Sequence, residues 1–300
     1  MGCLLHYASQ VCRLPCAFPE LRHVTAVPCC ASGTGLAVSS ARRIMVVAGD
    51  VNGSALSVHT LDPGFPLQYA FGGIGGSEGV QMQQASPSLC FPSSGWPDTS
   101  LLVVDTGGDR VVEVNVETKS VVKVWVAGEV AGPMAVAASR DVVAVCESKD
   151  NARHRVSLFA VGSGALVSRV GGWRGPGDGQ LHSPRGVAVC RDGRHVAVAD
   201  CGNQRVSLFT IGGSFVRHLV TGVVGYCVGV VEVDGGFVVC GTSALGFVSG
   251  GVESAAGPLV TMTSPGVSLS SLSAVCVTDS TGVYVRHGSR HVTLLGPPGC

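Results

Sequence analysis

The sequence predicts an all-β fold built from a repeating unit of four short strands. Residues 171–220 read as a Gly-rich crossing followed by four apolar runs joined by tight turns, and weaker copies recur along the chain. Valine-rich runs and 43 glycines suit strands and turns, because branched side chains pack well on a pleated surface. No long stretch has the period of an amphipathic helix. A recurring four-strand unit is typical of radial or stacked repeat folds.

The composition bounds the size, the partners and the location of the protein. The 300 residues, 46% of them apolar, can form one large all-β domain or two ordinary ones. Lys and Arg balance Asp and Glu at 20 each, so no strong overall field attracts nucleic acid or anionic lipid. No apolar run reaches the roughly 18–20 residues of a membrane span, and the N-terminus lacks the basic region of a signal peptide. We therefore expect a cytoplasmic protein without a membrane partner.

The thirteen cysteines do not form a recognisable metal-binding pattern. Most lie singly within apolar runs, where they are expected to act as small buried side chains. The first thirty residues have no C-x-x-C spacing, although they contain Cys3, Cys12, Cys16, Cys29 and Cys30. We therefore predict no metal site and no cofactor.

An acid-to-arginine hairpin is the clearest motif within the repeat. An apolar strand ends in Asp105, a tight turn follows, and Arg110 opens the next strand; Asp200 and Arg205 repeat this spacing of five residues. Such a hairpin brings the two side chains within reach of a charge-assisted hydrogen bond. A third copy keeps Glu147 and Arg155 around a longer loop. These pairs are predicted to pin their hairpins.

Weaker copies extend the repeat over most of the chain. Equivalent positions are predicted to lie 41 to 56 residues apart, at Gly49, Asp105, Glu147, Asp200, Gly241 and Arg286. Six copies at this period suit four-stranded blades arranged around an axis.

These motifs resemble those of the NHL-repeat family. The family's Gly-rich entry, Pro-entered strand and Asp-to-Arg turn match nearly throughout residues 171–220, in part over 71–125 and 131–170, and in rhythm alone over 31–70 and 221–300. The resemblance implies a six-bladed β-propeller of four-stranded antiparallel blades, which agrees with the six copies. The last two copies depart from the pattern because they lack the acid-to-arginine pair.

The chain is predicted to consist of an N-terminal segment, residues 1–30, and a propeller over residues 31–300. The sequence ends just after what reads as the third strand of a blade. We expect the missing fourth strand to come from the N-terminal segment, within residues 3–27, which would close the ring.

One end of the propeller is predicted to carry the binding surface. In a meander, the turn between the second and third strands lies at the same end as the crossing into the next blade. Loops on one face of a rigid scaffold are the usual place for binding. The residues expected on this face are Trp173, Arg174, His182, Arg185, Asn203 and Gln204, with Asp109, Arg110 and Arg153 from other blades.

Several of these residues have an alternative interpretation. Trp173 could instead cap the gap between two blades. Arg185 follows the strand-entry Pro184 and is expected to point toward the central channel. Arg110, Arg155 and Arg205 are expected to hold their hairpins rather than touch a ligand.

No catalytic constellation is predicted. Residues 75–79 match G-x-S-x-G by letter but lie in a Gly-rich crossing, whereas a nucleophile elbow needs a strand before it and a helix after it. Zinc-dependent lyases of the same fold family would require a histidine after the strand-entry proline, where this chain has Arg185 and Met134.

The resemblance implies a non-catalytic platform that binds another protein or peptide. Some members of the family serve as substrate receptors in ubiquitin ligases, so substrate recognition linked to ubiquitination is one expectation. RNA binding is an alternative, although zero net charge and three lysines disfavour it. A metal-dependent lyase or hydrolase with its site in the channel is a third.

Overall fold

The computed structural model describes residues 22–28, 35–51, 54–62, 65–74, 80–82, 88–92, 95–126, 128–149, 153–223, 225–262, 271–278, 282–287 and 291–296. The five N-terminal cysteines and the crossing at 75–79 lie outside the described residues. No helix within these ranges is long and apolar enough to cross a membrane.

The described strands form six four-stranded antiparallel sheets and one short parallel pair. Blade 1 contains β2 (Leu36–Ser39), β3 (Ile44–Val51), β4 (Ser54–Thr60) and β5 (Leu67–Phe71), and blade 2 contains β8 (Leu89–Cys90), β9 (Ser100–Asp105), β10 (Arg110–Asn115) and β11 (Ser120–Trp125). Blade 3 contains β12 (Pro133–Ala138), β13 (Val142–Lys149), β14 (Arg153–Ala160) and β15 (Leu166–Gly172). Blade 4 contains β16 (Pro184–Val189), β17 (His195–Asp200), β18 (Arg205–Thr210) and β19 (Phe215–Thr221). Blade 5 contains β20 (Cys227–Val233), β21 (Gly236–Gly241), β22 (Leu245–Ser249) and β23 (Leu259–Met262).

The remaining sheet joins both ends of the chain. It contains β24 (Leu272–Thr278), β25 (Gly282–His287), β26 (His291–Gly296) and, beside β26, the first strand β1 (Arg22–Pro28). The pairing of β1 with β26 is antiparallel, with Ala26 opposite Thr293. The parallel pair is β6 (Gly73–Ile74) with β7 (Gln81–Met82). Five blades are thus made of consecutive strands, and the sixth sheet is composite.

The first strands of the sheets surround the axis of the molecule. β2, β8, β12, β16, β20 and β24 contact one another in that order, and β24 contacts β2 again. The predicted class is therefore confirmed: the fold is all-β, with four-stranded antiparallel blades in a propeller arrangement. The division into residues 1–30 and 31–300 stays a prediction.

Aliphatic side chains fill the space between neighbouring blades. One cluster joins blades 3 and 4 through buried residues that include Val156, Val170, Leu181, Val187 and Val198. The middle strands are covered on both faces, and all six residues of β9 are buried. This explains why those strands read as continuous apolar runs rather than as alternating patterns.

One weak copy is displaced by a residue from its predicted position. The strand-entry Pro184 pairs with Asp200, and in the composite blade the corresponding Leu272 pairs with His287. His287 therefore takes the place that the sequence pattern assigned to Arg286. The last copy lacks the acid-to-arginine pair, so its sequence does not determine how β24 pairs with β25.

Gly186 allows the inner strands of blades 4 and 5 to approach closely. A Cβ atom at this position would lie 2.8 Å from the Gly229 Cα and 2.9 Å from the Val228 carbonyl oxygen. We predict that Gly186→Ala lowers the free energy of unfolding by about 1–3 kcal/mol, because backbone must shift to admit the methyl group. Urea unfolding measures the loss, and Gly162→Ala, which adds a methyl group where nothing lies within 4 Å, is the control. Equal midpoints for the two variants would contradict the prediction.

Candidate functional site

Three acid-to-arginine pairs hold the hairpins at one end of blades 2, 3 and 4. In the sheet registers Arg110 lies opposite Asp105, Arg155 opposite Glu147 and Arg205 opposite Asp200. The corresponding nitrogen–oxygen distances are 2.9, 2.9 and 2.8 Å. All three carboxylates are fully buried, so each arginine compensates a charge that is removed from water.

Asp200 organises the hairpin of blade 4. Its Oδ1 accepts a hydrogen bond from the backbone N–H of His182 at 2.6 Å. Its Oδ2 accepts bonds from Asn203 Nδ2 and Arg205 Nε, both at 2.8 Å. The carboxylate therefore joins the strand entry at His182 to the turn that ends at Arg205.

Arg205 extends this network into the crossing between blades 3 and 4. Nη1 donates to the Pro176 carbonyl at 2.8 Å and lies 3.1 Å from His218 Nε2. Nη2 donates to the carbonyls of Gly177 and Gln180 at 3.0 and 2.9 Å. With the bond from Nε to Asp200, the guanidinium donates four hydrogen bonds to oxygen acceptors. The sequence predicted a hairpin clasp, and the structure adds this support of the crossing.

The crossing loop, residues 173–181, is ordered by further hydrogen bonds. Asn203 Nδ2 donates to the Gly175 carbonyl at 2.9 Å, and the Gly177 N–H donates to Gln180 Oε1 at 3.0 Å. The Gly175 N–H donates to the Leu181 carbonyl, which closes the loop at its base. A loop with this many internal bonds presents its exposed side chains at fixed positions.

Gly171 sets the path of the chain into the crossing loop. Its φ is +81°, and a Cβ atom there would lie 2.6 Å from the His154 carbonyl oxygen. Both the left-handed backbone and the lack of space favour glycine.

A shallow surface pocket of about 620 Å³ opens beside this loop. We call it the crossing pocket; its lining residues are Trp173, Arg174, Gly175, Pro176, His182 and Asn203. Trp173 is 74% exposed, so it stands out from the surface and does not cap the gap between the blades. The structure thus brings together four residues that the sequence placed on one face, namely Trp173, Arg174, His182 and Asn203.

His182, which lines the pocket, packs against the buried His154. The rings of His154 and His182 meet edge to face with centroids 5.9 Å apart. His154 Nδ1 accepts a hydrogen bond from the Ser183 N–H at 3.0 Å, which ties blade 3 to the entry of blade 4. A side chain at Gly202 would collide with the His182 ring, since its Cβ would lie 2.5 Å from that ring.

The other predicted binding residues do not line the crossing pocket, and Asp109 lies at the junction of blades 2 and 3. Asp109 holds the Gly132 N–H at 2.6 Å and Lys149 Nζ at 2.7 Å. These bonds, the backbone bond first, lower the pKa of the Asp109 carboxyl. Arg153 opens β14 and is exposed, close enough to Asp109 for its charge to act on that carboxyl.

Arg185 and Gln204 are both exposed near the hairpin of blade 4. Arg185 follows Pro184 on the inner strand β16, and that it faces the central channel stays a prediction. Burial raises the pKa of the Cys201 thiol, and the charge of Arg185 opposes that shift. Gln204 adopts a left-handed conformation with φ of +52°, which turns the chain into β18. That these residues bind a ligand stays a prediction.

Sequence reasoning missed the part played by Pro176, Gly177 and Gln180. Their carbonyls accept hydrogen bonds from Arg205, and the path of the loop determines which carbonyls come within reach of its guanidinium. The run of glycine, proline and aspartate after Arg174 indicated an irregular crossing. No residue type in that run indicated that the Arg205 guanidinium would bind its carbonyls.

Comparison with known protein families agrees with the propeller fold and with the repeat at residues 171–220. The model of the NHL repeat matches residues 181–209, within the stretch that resembles this family most closely. The chain is a β-propeller in which residues 181–209 are similar to the NHL repeat. The matched residues include Asp200, Asn203 and Arg205, which donate or accept the hydrogen bonds that support the crossing pocket. The loop carbonyls that Arg205 binds lie just before the matched residues.

Other comparisons place this propeller among many of similar shape. A chain in a solved structure titled "Crystal structure of Nidogen/Laminin Complex" superposes with a TM-score of 0.54 and 11% identity, over 72% of this chain and 75% of that chain. In all, 852 solved chains match, and a fold so widely used does not by itself identify an activity. No curated protein matches the sequence.

The described part of the propeller contains no group of three or more His, Cys, Asp or Glu side chains placed to hold a metal ion.

Proposed function

We propose that the propeller is a non-catalytic platform that binds a segment of a partner protein in the crossing pocket. The exposed Trp173 carries this proposal. A tryptophan that is 74% exposed leaves a large apolar surface in water, and tryptophans in such positions are enriched among the residues that dominate binding energy.

The support beneath Trp173 strengthens the argument. Arg205 and Asn203 hold the carbonyls of the crossing loop, so the ring is presented by a pre-organised segment. Binding to such a loop costs little ordering entropy. The polar groups of Arg174, His182 and Asn203 beside the ring supply directional contacts for a peptide.

The expected result is that Trp173→Ala reduces capture of the partner at least about tenfold without lowering the thermal midpoint, since its side chain is mostly in water. Val122→Ala is the control, because it removes an exposed apolar side chain from the outer strand of blade 2. Proteins captured by the wild-type chain are quantified by mass spectrometry alongside both variants. A partner set that is equally abundant with Trp173→Ala would refute the proposal.

The narrower expectation, substrate recognition for ubiquitination, rests on the family resemblance alone. It predicts that a ubiquitin ligase or its substrate is among the proteins that depend on Trp173. The same quantitative capture tests it.

A further inference from the structure

We infer that the crossing pocket selects acidic peptide segments. This inference rests on the proposed function and specifies the chemistry of the partner. It comes from three arginines around the pocket, Arg153, Arg174 and Arg185. All three are exposed, and within the described part of the chain none of them takes part in a salt bridge.

Backbone pairing brings the three arginine positions close to the crossing pocket. Arg174 lines the crossing pocket. Arg153 directly precedes His154, which pairs with Gly172, the residue before Trp173. Arg185 follows Pro184, which pairs with Asp200 beneath the pocket. They come from two blades and the crossing between them, and the inference is that a peptide lying over the pocket contacts more than one of them.

Two of the three acidic groups near these arginines, Asp200 and Asp109, are paired with cations. Asp200 is fully buried and accepts three hydrogen bonds, including one from Arg205. Asp109 is paired with Lys149. Asp178 is exposed on the crossing loop, 3.1 Å from His218 Nε2, and keeps its negative charge uncompensated while that histidine is neutral, but three arginines outnumber it. The local balance is therefore positive although the whole chain has no net charge.

This combination fits carboxylate side chains beside an apolar one. A guanidinium recognises a carboxylate through two parallel hydrogen bonds, and exposed arginine is well suited to that geometry. The Trp173 ring offers a flat surface for an aromatic or proline side chain of the same segment. Aspartate or glutamate flanking such a residue would use both features together.

RNA is the competing ligand, since arginine and tryptophan also bind nucleic acid. Binding of a single strand generally uses a basic groove and several stacking rings in succession. The crossing pocket has one exposed ring, and of the three lysines in the chain, Lys119 and Lys123 lie on or beside the outer strand of blade 2. The observations therefore favour a short acidic peptide.

A random peptide library displayed on phage tests the inference with an unidentified partner. The wild-type propeller should enrich Asp and Glu beside an aromatic residue or proline. The enriched peptide, labelled with fluorescein, should bind at least about tenfold more tightly than its Asn and Gln counterpart, as expected for several exposed ion pairs. The triple variant Arg153→Gln, Arg174→Gln, Arg185→Gln should lose this preference, whereas Arg140→Gln, which changes an exposed arginine on another turn, should keep it.

The outcomes separate the two proposals. Neutral or basic peptides that bind in a Trp173-dependent manner would overturn acidic selection and leave the platform proposal standing. Acidic peptides that bind regardless of Trp173→Ala would place the site elsewhere. A library without enrichment, together with retention of a random single-stranded RNA pool that depends on the same three arginines, would overturn the inference in favour of RNA.

Discussion

Asp200→Asn should lower the free energy of unfolding by about 3–5 kcal/mol, the usual cost of leaving one buried charge without its partner. The carboxylate is fully buried, and Arg205 beside it is 7% exposed. The amide of asparagine has nearly the same shape, so the substitution removes the negative charge and leaves the guanidinium in place. At least one of the three hydrogen bonds that Asp200 accepts must also be lost, since an amide has a single acceptor oxygen.

Urea unfolding followed by circular dichroism measures this loss. Glu253→Gln is the matched control, because Glu253 forms a 3.0 Å ion pair with Arg194 and both side chains are mostly exposed. Exposed pairs of this kind contribute little to stability. If the midpoints of Asp200→Asn and Glu253→Gln differed by no more than the experimental error, the buried pair would not be a main support of blade 4.

The acid-to-arginine hairpins show how far the sequence predicts this fold. The spacing from Asp105 to Arg110 and from Asp200 to Arg205 placed the partners opposite each other, and the registers agree. The local sequence is enough to predict the register here, because a tight turn leaves few ways to pair the flanking strands. The composite blade lacks such a pair, and there the predicted register was wrong by one residue, at Arg286 instead of His287.

The candidate site was less accessible to sequence reasoning. Shared position at one end of the blades follows from meander topology, and this brought Trp173, Arg174, His182 and Asn203 together correctly. The exposure of Trp173 depends on the path of the crossing loop, which is set by hydrogen bonds to carbonyls. Every residue has a carbonyl, so the sequence does not mark which of them Arg205 will bind.

The hydrogen-bond network of Asp200 and Arg205 stabilises the hairpin of blade 4, and it also has a second role at the neighbouring loop. Asp200 fixes Arg205 within blade 4, and Arg205 in turn fixes the loop that arrives from blade 3. One buried ion pair thereby contributes to stability and also positions the exposed ring of Trp173. Changes that weaken the pair should affect folding and binding together, whereas changes at the exposed arginines should affect binding alone.

Arg205→Lys should separate these two roles. A lysine ammonium can remain beside Asp200, but it cannot also reach the carbonyls of Pro176, Gly177 and Gln180, because its donors sit at one point on a flexible stem. We expect a loss of about 2–4 kcal/mol in the free energy of unfolding, as several hydrogen bonds from a charged donor disappear. Binding in the crossing pocket should also weaken under conditions where the variant is fully folded, so that the loss of stability alone does not explain the weaker binding.

Hydrogen exchange followed by mass spectrometry locates the effect. Peptides covering residues 173–181 should exchange faster in Arg205→Lys under conditions where the protein stays folded, while peptides from β20 to β22 should not change. Arg194→Lys, at an exposed arginine of the same blade, should leave both regions as in the wild type. Unchanged exchange over 173–181 would show that the crossing loop is held without the guanidinium, and Trp173 would then owe its position to the backbone around Gly171 and Leu181.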